Sequence, residues 1–262
     1  MSGIKDPHLV VVTGAGSGIG QATALLFAER GAQLVCVDID EASAKATAAA
    51  CGSTSVAYTC DVGDATAVAE LAQSVQSDLG PVDVLVNNAG VGLGGDFRDY
   101  TIEDWAWIRS VNLDGVVNGC HAFGSEMIER GRGHVVNVSS GLGYLPSRRT
   151  TAYCTTKAAV LMLSQCLRAD WSRHGVGVSA VCPGFTNTPI LDATRLRGVD
   201  ARERGMFAWA LGHGRSPRFV AAAIVRATER NRGIVPVGPE SVATYHALRV
   251  LPAALRELGG RL

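Results

Sequence analysis

Short runs rich in valine and other β-branched residues alternate with longer stretches of helical character, and this alternation limits the fold more than any other feature of the sequence. The runs lie near residues 8–13, 33–38, 55–60, 82–87, 133–140, 176–182 and 233–237. The helical stretches lie near residues 18–30, 41–51, 64–79, 101–130, 151–174 and 217–231. Buried strands that alternate with helices are typical of a parallel sheet covered by helices on both faces. The sequence therefore predicts an α/β fold of the doubly wound Rossmann type, with a seven-stranded parallel sheet flanked by helices.

Composition limits the number of domains and the class of partner. The chain has 262 residues, of which 47% are hydrophobic, and no shift in composition marks a second domain, so we expect one domain over residues 1–262. The 24 lysines and arginines balance the 24 aspartates and glutamates, and nucleic acid is therefore not an expected partner. No apolar run is long enough to span a membrane or to serve as a signal peptide, which predicts a cytoplasmic protein.

Seven cysteines are scattered along the chain without a Cys-x-x-Cys pair. They are Cys36, Cys51, Cys60, Cys120, Cys154, Cys166 and Cys182. An odd, scattered set that lies partly in apolar segments indicates reduced core residues. We expect neither a disulfide framework nor a metal site.

A glycine-rich segment, Thr13-Gly14-Ala15-Gly16-Ser17-Gly18-Ile19-Gly20, connects the first predicted strand to the first predicted helix. Glycines at such a turn let the backbone approach a pyrophosphate, whose charge is stabilised at the helix N-terminus. Asp38 ends the next predicted strand, where a carboxylate can bind both adenosine ribose hydroxyls and would repel a 2′-phosphate. The pattern therefore favours NAD(H) over NADP(H). The alternative role for Asp38 is a helix N-cap, for which Asp40 is better placed.

Tyr153 and Lys157 lie four residues apart, and the chain has only three lysines. On a helix, positions i and i+4 share a face, so the phenol and the ammonium can point at one reacting group. An ammonium about 4 Å from the phenol would contribute roughly 4 kcal/mol at a dielectric near 20, enough to lower the tyrosine pKa by about three units. We interpret the pair as a proton donor and acceptor for an alcohol or a carbonyl. The alternative is an accidental pairing on an exposed helix.

Several segments together resemble the single-domain short-chain dehydrogenase/reductase family. The family's order and spacing are matched by Thr13-Gly14-x-x-x-Gly18-Ile19-Gly20, Asp61-Val62, Asn87-Asn88-Ala89-Gly90, Asn112, Ser140, Tyr153-x-x-x-Lys157 and Pro183-Gly184-x-x-x-Thr188. The resemblance covers about residues 8 to 238. It implies a Rossmann fold, a nicotinamide cofactor and hydride transfer at an alcohol or ketone, and it specifies the substrate much less well.

The resemblance also implies a role for each matching residue. The catalytic set would be Asn112, Ser140, Tyr153 and Lys157. The cofactor-binding set would be Gly14, Ser17, Gly18, Ile19, Gly20, Asp38, Ile39, Asp61, Val62, Asn88, Ala89, Gly90, Tyr153, Lys157, Pro183, Gly184, Thr186 and Thr188.

Within the catalytic set, the resemblance implies that Ser140 binds the substrate oxygen and that Tyr153 exchanges a proton with it. Lys157 would hold the nicotinamide ribose and lower the tyrosine pKa. Asn112 would keep a water that relays protons, and the alternative is an asparagine bonded to backbone. Because adjacent strand residues face opposite ways, Ser139 and Ser140 cannot both reach the site, and the spacing to Tyr153 selects Ser140.

The longest aperiodic segment, residues 185–216, predicts a lid over the substrate. It contains the apolar residues Met206, Phe207, Trp209 and Leu211 and the arginines Arg195, Arg197, Arg202, Arg204 and Arg215. The apolar set favours a hydrophobic substrate, whereas the arginines either bind a carboxylate or thioester carrier or form a solvated helix face. A C-terminal helix over about 239–258, with Leu251, Leu255 and Leu258 on one side, would pack in a homotetramer or homodimer, or alternatively contact lipid.

These expectations combine into an NAD(H)-dependent oxidoreductase that interconverts a secondary alcohol and a ketone on an apolar small-molecule substrate. One alternative is an NADPH-dependent 3-oxoacyl-thioester reductase, which the arginine-rich segment suggests. Another is a non-catalytic, cofactor-binding regulatory protein, against which the intact catalytic set argues.

Overall fold

A computed structural model describes residues 3–251 of the chain. Its strands are β1 (Leu9–Thr13), β2 (Gln33–Asp38), β3 (Val56–Thr59), β4 (Val84–Asn87), β5 (Gly92–Gly95), β6 (Gly133–Val138), β7 (Val176–Pro183), β8 (Thr194–Arg197) and β9 (Ile234–Val237). Its α-helices are α1 (Gly18–Ala28), α2 (Glu41–Cys51), α3 (Ala65–Leu79), α4 (Ile102–Arg109), α5 (Gly115–Arg130), α6 (Thr151–Trp171), α7 (Ala201–Gly212), α8 (Pro217–Glu229) and α9 (Pro239–Val250).

Seven of these strands form one parallel sheet in the order β3-β2-β1-β4-β6-β7-β9. Successive residues of β1 alternate between two apolar clusters, since Val10 and Val12 pack on one face and Leu9 and Val11 on the other. Strands buried on both faces need near-continuous apolar runs, which is why these segments are so rich in valine. The predicted doubly wound Rossmann fold with seven parallel strands is confirmed. The strand order reverses between β1 and β4, where a crevice opens in such sheets.

A second, two-stranded parallel sheet joins β5 to β8. The expectation that residues 185–216 lack regular structure is wrong in part, because this segment contains β8 and α7. A Cβ added to Gly92 of β5 would lie 2.2 Å from the Thr194 Oγ1 atom, so the two strands approach closely only because β5 is built of glycine and leucine. Such a strand has no alternating pattern, and its partner lies far along the chain.

The predicted helix over 101–130 is interrupted by a π-helical turn, Ser110–Asp114, between α4 and α5. A π turn fits an extra residue into a helix and often occurs at functional sites. Asn112 lies within this turn and is completely buried. The π turn therefore places the polar side chain of Asn112 in the interior, which a regular helical pattern does not predict.

The C-terminal helix α9 ends at Val250, and residues 252–258 of the predicted helix, with Leu255 and Leu258, lie outside the described residues. The ring of Tyr245 on α9 packs edge-on against Tyr144, with the ring centroids 5.4 Å apart. This contact places α9 beside the loop that follows β6. Over residues 3–251, no helix is both long and apolar enough to cross a bilayer.

Candidate active site

A cleft of about 520 Å³ lies at the carboxyl ends of the strands, around the point where the sheet order reverses. Most of the predicted site residues line it: Gly14, Ser17, Gly18, Ile19, Asp38, Ile39, Asp61, Val62, Asn88, Ala89, Gly90, Ser140, Tyr153, Lys157, Pro183, Gly184, Thr186 and Thr188. The two exceptions are Gly20 and Asn112, which lie behind the lining residues. Residues from distant parts of the sequence thus meet in one place.

The glycine-rich turn depends on the absence of side chains. Gly14 and Gly18 have φ angles of 63° and 54°, which favour glycine, and a Cβ on Gly14 would lie 2.8 Å from the Ala89 Cα atom. A Cβ on Gly20 would lie 2.0 Å from the Gly14 carbonyl oxygen, so Gly20 is needed for close packing, and its cofactor contact stays a prediction. Ser17 precedes α1 without capping it through its side chain, which leaves the first amides of α1 available to an anion. The turn fits a dinucleotide diphosphate.

Asp38 is held at the edge of the cleft by two backbone groups. Its Oδ2 atom accepts a hydrogen bond from the Gly16 amide at 2.8 Å, and its Oδ1 atom accepts one from the Asp40 amide at 3.1 Å. The N-cap of α2 is Asp40, whose carboxylate accepts from the Ala42 amide at 3.0 Å. The alternative role for Asp38 as a helix cap is therefore wrong. Ile39, the next residue, is 69% exposed at the same edge of the cleft.

Hydrogen bonds tie the end of β4 to the end of β1. The Asn88 side-chain amide donates to the carbonyl oxygens of Thr13 at 3.0 Å and of Gly14 at 3.1 Å. The Thr13 hydroxyl accepts from the backbone amides of Asn88 at 3.0 Å and Ala89 at 3.1 Å. These bonds fix the floor of the cleft. The Asn88 side chain therefore holds the backbone of the glycine turn in place.

The remaining predicted cofactor residues border the two ends of the cleft. Asp61 accepts a hydrogen bond from the Gly63 amide at 2.9 Å, which holds its side chain in a tight turn after β3. The Thr186 hydroxyl donates to the Gly184 carbonyl at 3.1 Å. A Cβ on Gly18 would lie 3.1 Å from the Thr188 Cγ2 atom, so the loop after β7 closes directly over the glycine turn.

Ser139 and Ser140 both line the cleft, so the expectation that only one of them can reach it is wrong. The Ser139 hydroxyl donates to the Lys157 carbonyl at 2.7 Å, beneath the cleft. The Ser140 hydroxyl accepts from the Leu142 amide at 3.1 Å. Ser140 and Tyr153 line the same cleft.

Lys157 follows Tyr153 by one turn of α6, and its side chain is almost completely buried. Its Nζ atom donates to the Val138 carbonyl at 3.0 Å and lies 5.8 Å from the centre of the Tyr153 ring. Burial lowers the pKa of Lys157 to about 8. One of the three ammonium donors is thus used by the end of β6, and the charge is held beneath the cleft.

The expected lowering of the Tyr153 pKa by Lys157 is wrong for this structure. Burial raises the pKa of Tyr153 to about 12, and the hydrogen bond with Ser140 opposes part of that rise. Removal of water disfavours the phenolate, and the ammonium is directed at a backbone carbonyl rather than at the phenol oxygen. At neutral pH the phenol is therefore protonated, as a proton donor must be.

Asn112 fastens the loop after β4. Its side chain accepts a hydrogen bond from the Val91 amide at 2.8 Å and donates to the Val91 carbonyl at 2.9 Å. This geometry agrees with the alternative of an asparagine bonded to backbone. The bonded backbone is that of Val91, in the loop after β4, rather than that of the helix itself. A Cβ on Gly90 would lie 3.3 Å from the Asn112 Oδ1 atom and 3.4 Å from the Lys157 Nζ atom, so both groups flank Gly90. The proton-relay role stays a prediction.

One side of the cleft is apolar, and the sequence patterns identified only part of it. Its lining residues are Val91, Trp107, Val111, Ile190, Ala193 and Leu211. Leu211 belongs to the apolar set of the predicted lid, whereas the sequence did not single out Trp107. Its signal is its position just before the π turn, which only the structure reveals. Of the described residues that line the cleft, none is an arginine.

The arginines of the predicted lid that lie on β8 form ion pairs with Asp104, and they lie on a strand rather than on a solvated helix face. Arg197 forms two hydrogen bonds of 2.8 Å to the Asp104 carboxylate, and Arg195 adds one of 3.4 Å. Arg195 also stacks over the Trp107 ring at 3.9 Å. Asp104 is 1% exposed, and hydrogen bonding to Arg197 lowers the pKa of its carboxyl well below the usual range. These contacts anchor β8 to α4 beside the apolar wall.

The chain is similar to oxidoreductases in sequence and in structure. A family profile described as short chain dehydrogenase matches residues 8–197. The protein named "Probable oxidoreductase EphD" of Mycobacterium tuberculosis is 46% identical over 259 residues, which cover 95% of this chain and 44% of EphD. This chain thus spans less than half the length of that relative. D-threitol dehydrogenase of Mycolicibacterium smegmatis is 36% identical over 71% of this chain and 72% of its own length.

A solved structure extends the similarity to the fold. A short-chain dehydrogenase/reductase from Burkholderia phymatum, in complex with NAD, superimposes with a TM-score of 0.87 at 30% identity, over 94% of this chain and 95% of its own. The profile covers most of the chain, and the relatives share its fold as well as its sequence. This protein belongs to the short-chain dehydrogenase/reductase family.

Proposed function

We propose that this oxidoreductase uses NAD(H) to interconvert a secondary alcohol and a ketone on an apolar substrate. The single observation that carries the proposal is the meeting of Ser140 and Tyr153 in the same cleft as the glycine turn and Asp38. A proton donor and a dinucleotide site that share one cleft are what a hydride-transfer reaction at a carbonyl requires.

The preference for NAD(H) rests on Asp38. Both of its carboxylate oxygens accept backbone hydrogen bonds, which hold the negative charge at the end of β2. A 2′-phosphate at this position would face that charge without a lysine or arginine among the residues lining this end of the cleft to offset it. Glycine-turn amides would hold the diphosphate, and Asp38 the adenosine ribose.

The residues around Tyr153 divide the remaining work. The nicotinamide, when bound, supplies or accepts the hydride. The protonated Tyr153 phenol donates a proton to the substrate oxygen when a ketone is reduced, and recovers it when an alcohol is oxidised. Ser140 donates a hydrogen bond to the same oxygen and stabilises the negative charge that develops there. Lys157 adds a positive charge beneath the site.

The substrate side of the cleft favours an uncharged molecule. The charged residues that line the cleft are Asp38, Asp61 and Lys157, and all three belong to the proposed cofactor and proton-transfer positions. The walls near Trp107 and Leu211 are apolar. The thioester-reductase alternative relied on free arginines, but Arg195 and Arg197 are bound to Asp104. The homotetramer or homodimer and the cytoplasmic location stay predictions.

The test is NAD⁺ reduction by the purified protein with a panel of secondary alcohols, from short aliphatic to polycyclic. We expect turnover with at least one apolar alcohol and a clear preference for NAD⁺ over NADP⁺. Ser140→Ala should reduce turnover by about 10²-fold or more, because it removes a donor to the developing charge. Ser139→Ala is the matched control, since its hydroxyl is already bonded to the Lys157 carbonyl, and should retain most of the activity.

Two results would contradict the proposal. Equal losses in the two serine variants would mean that Ser140 has no special role. Binding of NAD(H) without turnover on any alcohol or ketone would favour the non-catalytic alternative instead.

A further inference from the structure

The first turn of α9 lies between two segments that line the cleft. One is the loop after β6, which begins at Ser140, and the other is the loop that follows Pro183 at the end of β7. Ser241 is the one buried residue of α9 over Pro239–Val250. A Cβ on Gly141 would lie 3.4 Å from both the Ser241 Oγ atom and the Pro183 carbonyl oxygen, so the three segments meet at this point.

Tyr144 joins the loop after β6 to this turn of α9. Its hydroxyl donates to the Ser241 carbonyl at 2.8 Å and is also hydrogen-bonded to the Ser241 hydroxyl. The Ser241 hydroxyl in turn donates to the Cys182 carbonyl of β7 at 2.7 Å. The short 3₁₀ turn Gly141–Gly143 contains two glycines, whose backbones have many conformations open to them. An anchor at Tyr144 therefore narrows the positions that the nearby Ser140 hydroxyl can take.

Glu240 holds the beginning of the loop after β7. Its Oε1 atom accepts a hydrogen bond from the Phe185 amide at 3.0 Å. A Cβ on Gly184 would lie 2.0 Å from the same oxygen, so the carboxylate lies directly against the Gly184 backbone, which lines the cleft. Thr186 and Thr188, farther along this loop, also line the cleft. One turn of α9 thus fixes both segments.

We propose that the first turn of α9 sets the geometry of the reaction, with Tyr144 and Glu240 as positioning residues. Neither is among the described residues that line the cleft, so they act through Ser140 and the loop after β7. This inference deepens the proposed function and rests on it. A hydrogen-bond donor that is displaced from the reacting oxygen stabilises its developing charge less well. The glycine turn and Asp38 are fixed by other contacts, so binding of the adenosine end should not change.

The first experiment compares two tyrosine variants in steady-state kinetics, with an alcohol that the wild type oxidises. Tyr144→Phe keeps the ring and removes the anchoring hydroxyl, so it should lower kcat roughly tenfold and leave the Kd of NAD⁺ unchanged. Tyr245→Phe is the matched control, because its ring packs against Tyr144 and its hydroxyl has no hydrogen bond to another described residue. Equal kcat values in the two variants would overturn the role of Tyr144.

Glu240 offers a second pair of variants. Glu240→Ala removes the acceptor of the Phe185 amide and should lower kcat several-fold, whereas Glu240→Gln keeps an acceptor oxygen and should restore most of the activity. Because both variants lose the negative charge, the difference between them isolates the hydrogen bond. Equal activities in the two variants would overturn the role of Glu240.

Hydrogen exchange of backbone amides tests the positioning without a substrate. Exchange should be faster over residues 141–145 in Tyr144→Phe and over residues 184–188 in Glu240→Ala, and Tyr245→Phe should match the wild type. Unchanged exchange in the first two variants would overturn the positioning, and faster exchange with full turnover would overturn its effect on the reaction. If the wild type oxidises no alcohol, the proposed function fails, and the exchange still decides whether α9 holds the two segments.

Discussion

His134 should make the stability of this protein sensitive to mild acid. The side chain is fully buried in β6, and its Nε2 atom lies 2.8 Å from the Ser179 hydroxyl. Because that hydroxyl donates to the Arg232 carbonyl, it must accept from the imidazole, which fixes the neutral tautomer with the proton on Nε2. Burial, with a smaller contribution from the charge of Arg168, lowers the pKa of His134 to about 3.

The sign and size of the effect follow from the difference between the folded and unfolded states. The unfolded chain binds the proton with a pKa near 6.5, whereas the folded chain resists it until the pH approaches 3. The free energy of unfolding that His134 preserves above pH 6.5 is therefore lost as the pH falls through that window. At pH 5, 1.5 units below the unfolded value, the loss is about 2 kcal/mol.

The assay is urea unfolding at pH 8 and at pH 5, for the wild type and for His134→Gln. Glutamine can donate to Ser179 but does not titrate, so the variant should lose about 2 kcal/mol less than the wild type between the two pH values. The variant also serves as the control for carboxylates, which titrate equally in both proteins. Parallel losses would show that the imidazole already carries a proton in the folded protein and would refute the argument.

Two further predictions concern the site itself. Asp104→Asn should raise the substrate KM and lower the free energy of unfolding by about 2 kcal/mol, because hydrogen bonds to charged groups contribute that much. The control is Arg202→Ala, at an exposed arginine of α7, which should change neither quantity in kinetic assays and urea melts. Gly14→Ala should abolish NAD⁺ binding in a fluorescence titration, because the methyl group would lie 2.8 Å from the Ala89 Cα atom in a backbone with φ 63°. A Cβ at Gly205 in α7 would meet open space, so Gly205→Ala should stabilise the helix by about 1 kcal/mol and leave NAD⁺ binding unchanged. Equal effects of the two glycine substitutions would contradict this reasoning.

Much of the candidate site follows from local sequence signals. The glycine turn needs positive φ angles at Gly14 and Gly18, and those angles are encoded by glycine itself. Asp40 is a better cap than Asp38 by its position alone. Each of these inferences depends on neighbours within a few residues, which is why they transfer from sequence to structure.

Other features could not be predicted, because they depend on residues far apart in the chain. Pairing of β5 with β8 joins a glycine-rich strand to one about 100 residues later, and neither has a hydrophobic period. The ion pair of Arg197 with Asp104 joins residues 93 positions apart, so the sequence left the role of Arg197 open. The side-chain bonds of Asn112 to Val91 depend on the π turn, which breaks the helical period that the sequence predicted.

The sequence by itself determined the order of the seven strands of the large sheet and the turn that can hold a diphosphate, since these depend on the conformational preferences of consecutive residues. Only the tertiary structure decided which groups lie in low dielectric and what they contact there. Tyr153 shows the difference, because its spacing to Lys157 suggested a lowered pKa, whereas burial raises that pKa to about 12. Desolvation is a property of the whole packed chain, and no short stretch of residues encodes it.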